Sequence, residues 1–324
     1  MKFEYLKIAG SHQDMGHAIG SKFKVEIQRR VNKARQTIEG YDDYLKRTEP
    51  YFNATKEAFP NLILEAEAIA SSAGVSVSDY FAINNREVSK KSGSDHCTVA
   101  VSFGKNGAII GHNEDWEGAS PDALYILKAT IGDTTFFGLQ YKVCIPGIAV
   151  SMNNWGLVQC INDLNNSAQI GVPKNFVARA VLQCKTLDEA ELLIRKTKRA
   201  SGFNHVLIQG REVRNIEIAG DKLAIQKTVE KPYVHTNHYL SPEMVLLEKT
   251  HTQSSEKRYQ MAMKKIKSDM TVEDMQLLLS DTNNAEYPIS RHDATLGSFV
   301  AVPSESSAYI CYGPPDEGEY IKYK

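Results

Sequence analysis

The stretch Ser94–Trp116 reads SDHCTVAVSFGKNGAIIGHNEDW. Within it, Cys97-Thr98-Val99-Ala100-Val101-Ser102-Phe103 is rich in β-branched and apolar residues, and Gly104-Lys105-Asn106-Gly107 is a turn signal. Ala108–His112 resumes an apolar run that ends in Asn113-Glu114-Asp115-Trp116. The pattern predicts a β-hairpin with a cysteine at the start of one strand and a carboxylate near the end of the other. The length of the turn decides whether these two groups meet. A two-residue Asn106-Gly107 loop of type I′ pairs Thr98 with Asp115 and sends Cys97 and Asp115 to opposite faces. A three-residue loop with Gly107 in the left-handed position pairs Gly104 with Ala108 instead. Cys97 then lies across from Asp115, with Cβ atoms about 4.5–5.5 Å apart. The second register is expected, because glycine stands where it is needed and only this register gives the thiol a partner. A cysteine so placed is either a small buried hydrophobe or a nucleophile.

Upstream of the hairpin the chain reads as largely helical. Residues 3–8 form a short strand, and Ser11 with Asp14 is a capping box that opens a long helix. Met15, Ile19, Phe23, Ile27, Val31, Ala34 and Ile38 give that helix one apolar face, and Pro50 interrupts the helical pattern further on. A second helix is expected over Asn61–Ser72, and Ser76 with Asp79 caps a third that reaches about Asn85. Ser89–Ser94, SKKSGS, is linker-like and lies just before Cys97.

Downstream, strands dominate. Tyr125–Ile131 and Thr134–Tyr141 flank the hairpin signal Gly132-Asp133, and Gly147–Ser151 and Gly156–Ile161 flank Met152-Asn153-Asn154-Trp155. Helices are expected at Phe176–Gln183 and Leu187–Lys196, and then strands at His205–Gln209, Val213–Ile218, Leu223–Thr228 and Tyr233–Thr236. Ser255–Lys265 and Val272–Leu279 read as helices, and the chain closes with strands near Ser298–Val302, Ala308–Tyr312 and Glu319–Tyr323. The order implies an α+β fold in which helices cover two antiparallel sheets.

The chain has 324 residues, of which 42% are hydrophobic and 24% charged, as expected for a globular protein with a sizeable core. A formal charge of −1 gives no reason to expect nucleic acid or an anionic membrane as partner. No apolar run approaches the ~20 residues of a membrane span, and MKFEYLKIAG lacks the apolar stretch of a secretory signal. Five cysteines, Cys97, Cys144, Cys160, Cys184 and Cys311, are odd in number and show no CxxC spacing, which suits a reduced, cytoplasmic setting. The sequence contains no GxGxxG or P-loop phosphate motif and no GxSxG elbow. His235-x-x-His238 stands at a strand end without a neighbouring Cys or Glu, so no metal is expected there.

Taken in order, the short motifs resemble the acyl-coenzyme A:6-aminopenicillanate acyltransferase family of N-terminal nucleophile hydrolases, kin of the choloylglycine hydrolases. They are Met15-Gly16 with Gly20, Asn85-Arg86-Glu87, Asp95-His96-Cys97-Thr98, and Gly111-His112-Asn113-Glu114-Asp115-Trp116. Met152-Asn153-Asn154-Trp155-Gly156-Leu157, His235-Thr236-Asn237-His238 and Ser290-Arg291-His292 follow. The resemblance spans almost the whole chain. It implies a single domain over residues 1–324, built as a four-layer αββα sandwich of two antiparallel sheets. It also implies a precursor that cuts itself before Cys97, leaving residues 1–96 and 97–324 as associated chains. The freed α-amine of Cys97 then serves as base for its own thiol. By the same resemblance Asp115 orients that amine, Asn237 donates to the oxyanion, Asn153 completes the oxyanion hole, and Arg291 is the family's late arginine. His112, Trp116 and Trp155 are candidates to line the acyl pocket. His96 stands where family members often carry glycine. The expected substrate is a small linear amide or acyl donor, cleaved through a Cys97 thioester whose acyl group passes to water or to another acceptor, with no cofactor, and a homo-oligomer is compatible with the sequence. The alternatives are a papain-like thiol peptidase and an uncut binding protein of the same fold.

Overall fold

Alternation along the strands gives each sheet two apolar faces, and the fold covers all of them. The computed structural model describes residues 1–88, 97–164 and 168–324. One sheet runs in the order β1 (Tyr5–Gly10), β4 (Leu124–Ile131), β5 (Thr134–Tyr141), β6 (Val150–Asn153), β7 (Val158–Asp163), β8 (Phe203–Gln209), β9 (Glu212–Ala219) and β10 (Lys222–Val229). The second runs β11 (Tyr233–His235), β2 (Thr98–Gly104), β3 (Gly107–Asp115), β12 (Thr295–Val302), β13 (Ser307–Tyr312) and β14 (Tyr320–Tyr323). All neighbours are antiparallel except the edge strand β1, which joins β4 in parallel.

Among the described residues, seven helices pack on the outer face of the first sheet. They are α1 (His12–Lys22), α2 (Lys24–Thr37), α3 (Tyr41–Ala58), α4 (Pro60–Ala73), α5 (Val77–Asn84), α6 (Lys174–Val181) and α7 (Leu187–Lys196). After the short α8 (Pro242–Val245), α9 (Gln253–Lys265) and α10 (Val272–Leu279) cover the second sheet. Residue parity separates the layers. In β4, Tyr125, Leu127 and Ala129 meet the helices, whereas Leu124 and Ile126 meet Val99, Val101, Phe103, Ile110 and Phe299 of the facing sheet. On the far side, Ala100, Val234 and Val300 meet Ala262, Met275, Leu278 and Leu279. The result is the expected αββα sandwich. No helix among the described residues is long and apolar enough to cross a membrane.

Three local expectations change. The long N-terminal helix breaks at Phe23 (φ −110°, ψ 29°), which is fully buried with its ring centroid 4.5 Å from that of Tyr125. Burial of that ring takes precedence over helix continuity. Pro50 lies inside α3, which buries Tyr44, Thr48, Tyr51 and Thr55 along one stripe. Packing along the stripe outweighs the ~3 kcal/mol penalty of an internal proline. The short α8 was not expected from the sequence.

The third change is the opening hairpin. Gly104 pairs with Gly107 and Thr98 with Asn113, so Lys105 and Asn106 form the loop, and Gly107 (φ +108°) is the first residue of β3. This is neither of the two registers weighed from the sequence. Continuing the pairing by one residue sets Glu114, not Asp115, across from Cys97. Pairing Val101 with Ile110 puts both in the inter-sheet core and turns Gly111 toward α10, where an added Cβ would lie 2.6 Å from Met275 Sδ. A one-residue slip would exchange the faces, burying Gly111 between the sheets in place of Ile110.

Gly16 and Gly20 let α1 lie directly on α4. A Cβ at Gly20 would come 2.3 Å from Ile69 O and one at Gly16 2.5 Å from Glu65 O. The contact sets Glu65 in a bidentate pair with Arg179 of α6 (2.9 and 2.8 Å), with His12 Nδ1 2.8 Å from Glu65 Oε2. Gly20→Ala is therefore expected to destabilise the protein by about 1–3 kcal/mol, seen as a lower urea midpoint. An unchanged midpoint would show that the helices part without cost.

Candidate active site

Cys97 is the last residue before β2, and its φ of +47° is a left-handed conformation that costs a non-glycine residue roughly 1–2 kcal/mol. Its carbonyl is held on two sides, by Arg258 Nη1 at 3.0 Å and by Asn162 Nδ2 at 3.2 Å. Arg258 belongs to α9 and is fully buried. Its guanidinium also donates to Thr98 Oγ1 (2.8 Å), to Asn237 Oδ1 (3.1 Å) and to Ser254 Oγ (3.2 Å). Asn237, just after β11, is anchored through its N–H to Ser255 Oγ (2.7 Å), and its Nδ2 donates to Asp163 O (3.2 Å). An amide nitrogen carries two hydrogens, so Asn237 Nδ2 has one more than this bond uses.

On the inter-sheet side, Cys97 Sγ, a ring nitrogen of His112 and a carboxylate oxygen of Glu114 lie within 4.8 Å of one another, all buried. His112 Nε2 is 2.8 Å from Glu114 Oε2, and Tyr141 Oη donates to Glu114 Oε1 at 2.7 Å. Burial pushes the thiol pKa well up. The charges of Glu114 and Asp115 act in the same direction, as does hydrogen bonding to the Glu114 side chain, and a hydrogen bond to the Asp115 backbone opposes them. The Cys97 thiol is therefore held protonated at neutral pH.

Asp115 is fully buried and accepts from Thr295 Oγ1 at 2.7 Å. Burial raises its pKa, although the nearby charges of Arg258 and Arg291 and the Thr295 bond pull the other way. The arginine at 291 connects to it through the backbone, since its N–H donates to Thr295 Oγ1 (2.9 Å), and its guanidinium donates to Glu117 Oε1 (2.7 Å). It also lines a cavity of about 740 Å³ together with Glu117, Ser254, Tyr287 and His292.

The fold thus brings Cys97, Asp115, Asn237 and Arg291 together, but it does not bring Asn153 to them. Asn153 ends β6 beside Leu157, whereas the other end of β7 carries Asn162, which touches Cys97, roughly 17 Å further along the strand. There its Nδ2 donates to Leu182 O and Cys184 O, and its Oδ1 accepts from the N–H groups of Trp155 and Leu157. It closes a turn. Trp155, 39% exposed under the Lys185 ammonium, lies at the same remote end. Trp116 packs edge-on against Tyr141, ring centroids 5.6 Å apart, and so stays near the thiol. His235 pairs with Glu217 and His238 with Ser255, so the two histidines have separate partners. The lead-in Ser89–Ser94 and His96, with the expected cut before Cys97, lie outside the described residues.

Sequence reasoning missed Arg258, Glu114 and Tyr141 and gave His112 only a lining role. Arg258 had a legible signal, an arginine on the same stripe of α9 as buried Ser254, Ser255 and Ala262. Glu114 was lost with the register.

With this geometry in view, similarity to known proteins becomes informative. A protein of Drosophila melanogaster described as beta-alanyl-dopamine/carcinine hydrolase is 24% identical over 211 residues, 56% of this chain and 54% of that protein. The chain spans about half the length of that curated relative. The family described as acyl-coenzyme A:6-aminopenicillanic acid acyl-transferase matches residues 102–317, starting just after Cys97 and covering about two thirds of the chain. The chain belongs to the acyl-coenzyme A:6-aminopenicillanic acid acyl-transferase family.

Proposed function

We propose that this protein is a self-processing amidohydrolase in which Cys97, once freed as an N-terminus, attacks linear amides and forms a thioester. The observation that carries the reading is the treatment of Cys97 itself. Its backbone is bent to φ +47° at a strand start, its carbonyl is fastened by Arg258 and Asn162, and its thiol lies among buried ionisable groups. An ordinary core cysteine needs none of these. After the cut, an α-amine with an ordinary pKa of about 7.7–8.0 lies beside the thiol and can accept its proton near neutral pH. The thiolate adds to the amide carbonyl, the amine departs with the proton, and water then releases the acyl group as an acid. Asn237 offers its spare N–H to the oxyanion, and Asp115, tied to Arg291 through Thr295, supports the ammonium form of the amine.

The cavity of about 740 Å³ beside Arg291 suits a small molecule. Its carboxylates, Glu117, Glu286 and Asp293, disfavour a phosphate-bearing acyl carrier, which supports water as the acceptor. The relative's name, a hydrolase of beta-alanyl-dopamine and carcinine, makes beta-alanyl amides the first substrates to try. One observation favours a second reading: His112 lies close enough to Cys97 for a papain-like thiol–imidazole pair in the whole chain. A free α-amine on Cys97 separates the two.

Cleavage before Cys97 should divide the 36.1 kDa chain into pieces of about 11 and 25 kDa that stay together, in proportion to their lengths. Native and denaturing mass measurements, with the larger piece beginning Cys-Thr-Val, provide the check, and Cys97→Ala should remain whole. A fully active protein that never divides would overturn the proposal.

The two asparagines should part company. Asn237→Ala is expected to lower kcat by roughly 10²–10³ with the fold intact. Asn153→Ala, which abandons two backbone carbonyls and two backbone N–H groups of a turn, should instead cost about 1–3 kcal/mol of stability and leave kcat of the folded fraction near wild type. Unfolding midpoints measured beside steady-state kinetics distinguish these outcomes.

A further inference from the structure

A chain that activates Cys97 through its own α-amine lacks that amine until the cut is made. In the whole chain the Cys97 nitrogen is a peptide nitrogen, which cannot accept the thiol's proton. Another group must do so, and three side chains are near enough to consider. Asp115 lies one residue out of register with Cys97, accepts from Thr295 and influences the thiol through its charge and backbone. His112 has one ring nitrogen committed to Glu114. Glu114 has a carboxylate oxygen within 4.8 Å of Cys97 Sγ, and continuing the hairpin pairing by one residue sets it across from Cys97. Its carboxylate is held on both oxygens, Oε1 by the Tyr141 hydroxyl at 2.7 Å and Oε2 by His112 Nε2 at 2.8 Å. The carboxylate is buried, so its aim does not depend on a mobile side chain.

We propose that Glu114 is the catalytic base of self-cleavage, a role distinct from turnover and resting on the reading of Cys97 as nucleophile. The Glu114 carboxylate takes the proton from Cys97 Sγ, and the thiolate adds to the carbonyl carbon of the peptide bond preceding Cys97. A C–S bond forms, the C–N bond breaks, and the proton held by Glu114 passes to the departing nitrogen, which becomes the α-amine. Water then hydrolyses the thioester, giving a carboxylic acid at residue 96 and restoring the thiol. His112 and Tyr141 are positioning residues that aim the carboxylate. Once the α-amine exists it takes over as base, so Glu114 matters more for the cut than for the finished enzyme.

The test follows the cut over time in wild type, Glu114→Gln, Glu114→Asp and Glu114→Ala, with and without added formate. Thiol reactivity of the cut chains toward iodoacetamide is read by mass at Cys97. Glu114→Gln should cut about 10²-fold or more slowly, with Glu114→Asp recovering part of the rate. Formate, a small carboxylate, should accelerate Glu114→Ala and leave wild type unchanged, which a purely structural role would not produce. In chains that have been cut, Glu114→Gln should alkylate Cys97 no more slowly than wild type, because it removes a charge that holds the thiol protonated. If Glu114→Gln fails to fold, the Asp variant and the formate response of wild type and Ala carry the test. A wild-type chain that stays whole overturns both this proposal and the reading beneath it. A Gln variant that cuts as fast as wild type, or an Ala variant deaf to formate, overturns this proposal alone.

Discussion

The guanidinium of Arg258 joins parts of the chain that are 161 residues apart in sequence. From one rigid plane it holds the carbonyl of Cys97, the hydroxyl of Thr98 and the side-chain oxygen of Asn237. Lysine could not span these acceptors, because its ammonium is a point on a flexible stem. Taking a cation fully out of water costs several kcal/mol, and the arrangement is tolerable because the Asp115 charge lies close by. The left-handed bend at Cys97, the anchoring of Asn237 and the siting of α9 therefore share one buried side chain.

Around it, burial sets the direction at both Cys97 and Asp115, with neighbouring carboxylate charge reinforcing it at the thiol and arginine charge opposing it at Asp115. The thiol is pushed up by desolvation before any neighbour acts, and Asp115 is raised even though two arginines and a threonine favour its anion. Both groups are therefore held toward their neutral forms by the surrounding core.

The helical layer contributes indirectly. Close contact of α1 with α4 through Gly16 and Gly20 brings Glu65 to Arg179 of α6, the helix whose first residue, Lys174, pairs with Asp163. Asp163 O in turn accepts from Asn237. Packing on one face of the sandwich is therefore linked by direct contacts to the donor on the other.

Much of the architecture needed only neighbouring residues to be legible. The capping box at Ser11, the cap at Ser76, the hairpin around Gly132-Asp133 and the helical stripe of Leu187–Lys196 are dictated by local backbone chemistry, and they occur where the sequence alone puts them. Membership of the family, and with it Cys97 as the candidate nucleophile, was also readable from the order of short motifs. Tertiary structure decided what depends on distant partners. The hairpin register hinged on whether the inter-sheet core takes Ile110 or Gly111, a choice made by the facing sheet and α10, and it moved Glu114 to the thiol. Asn153 and Asn237 are both asparagines at strand ends, and only the far ends of β7 separate a turn from a site. Arg258 reads as one more cation in a polar helix until α9 folds against β2, because a buried charge declares its purpose only through the groups that meet it.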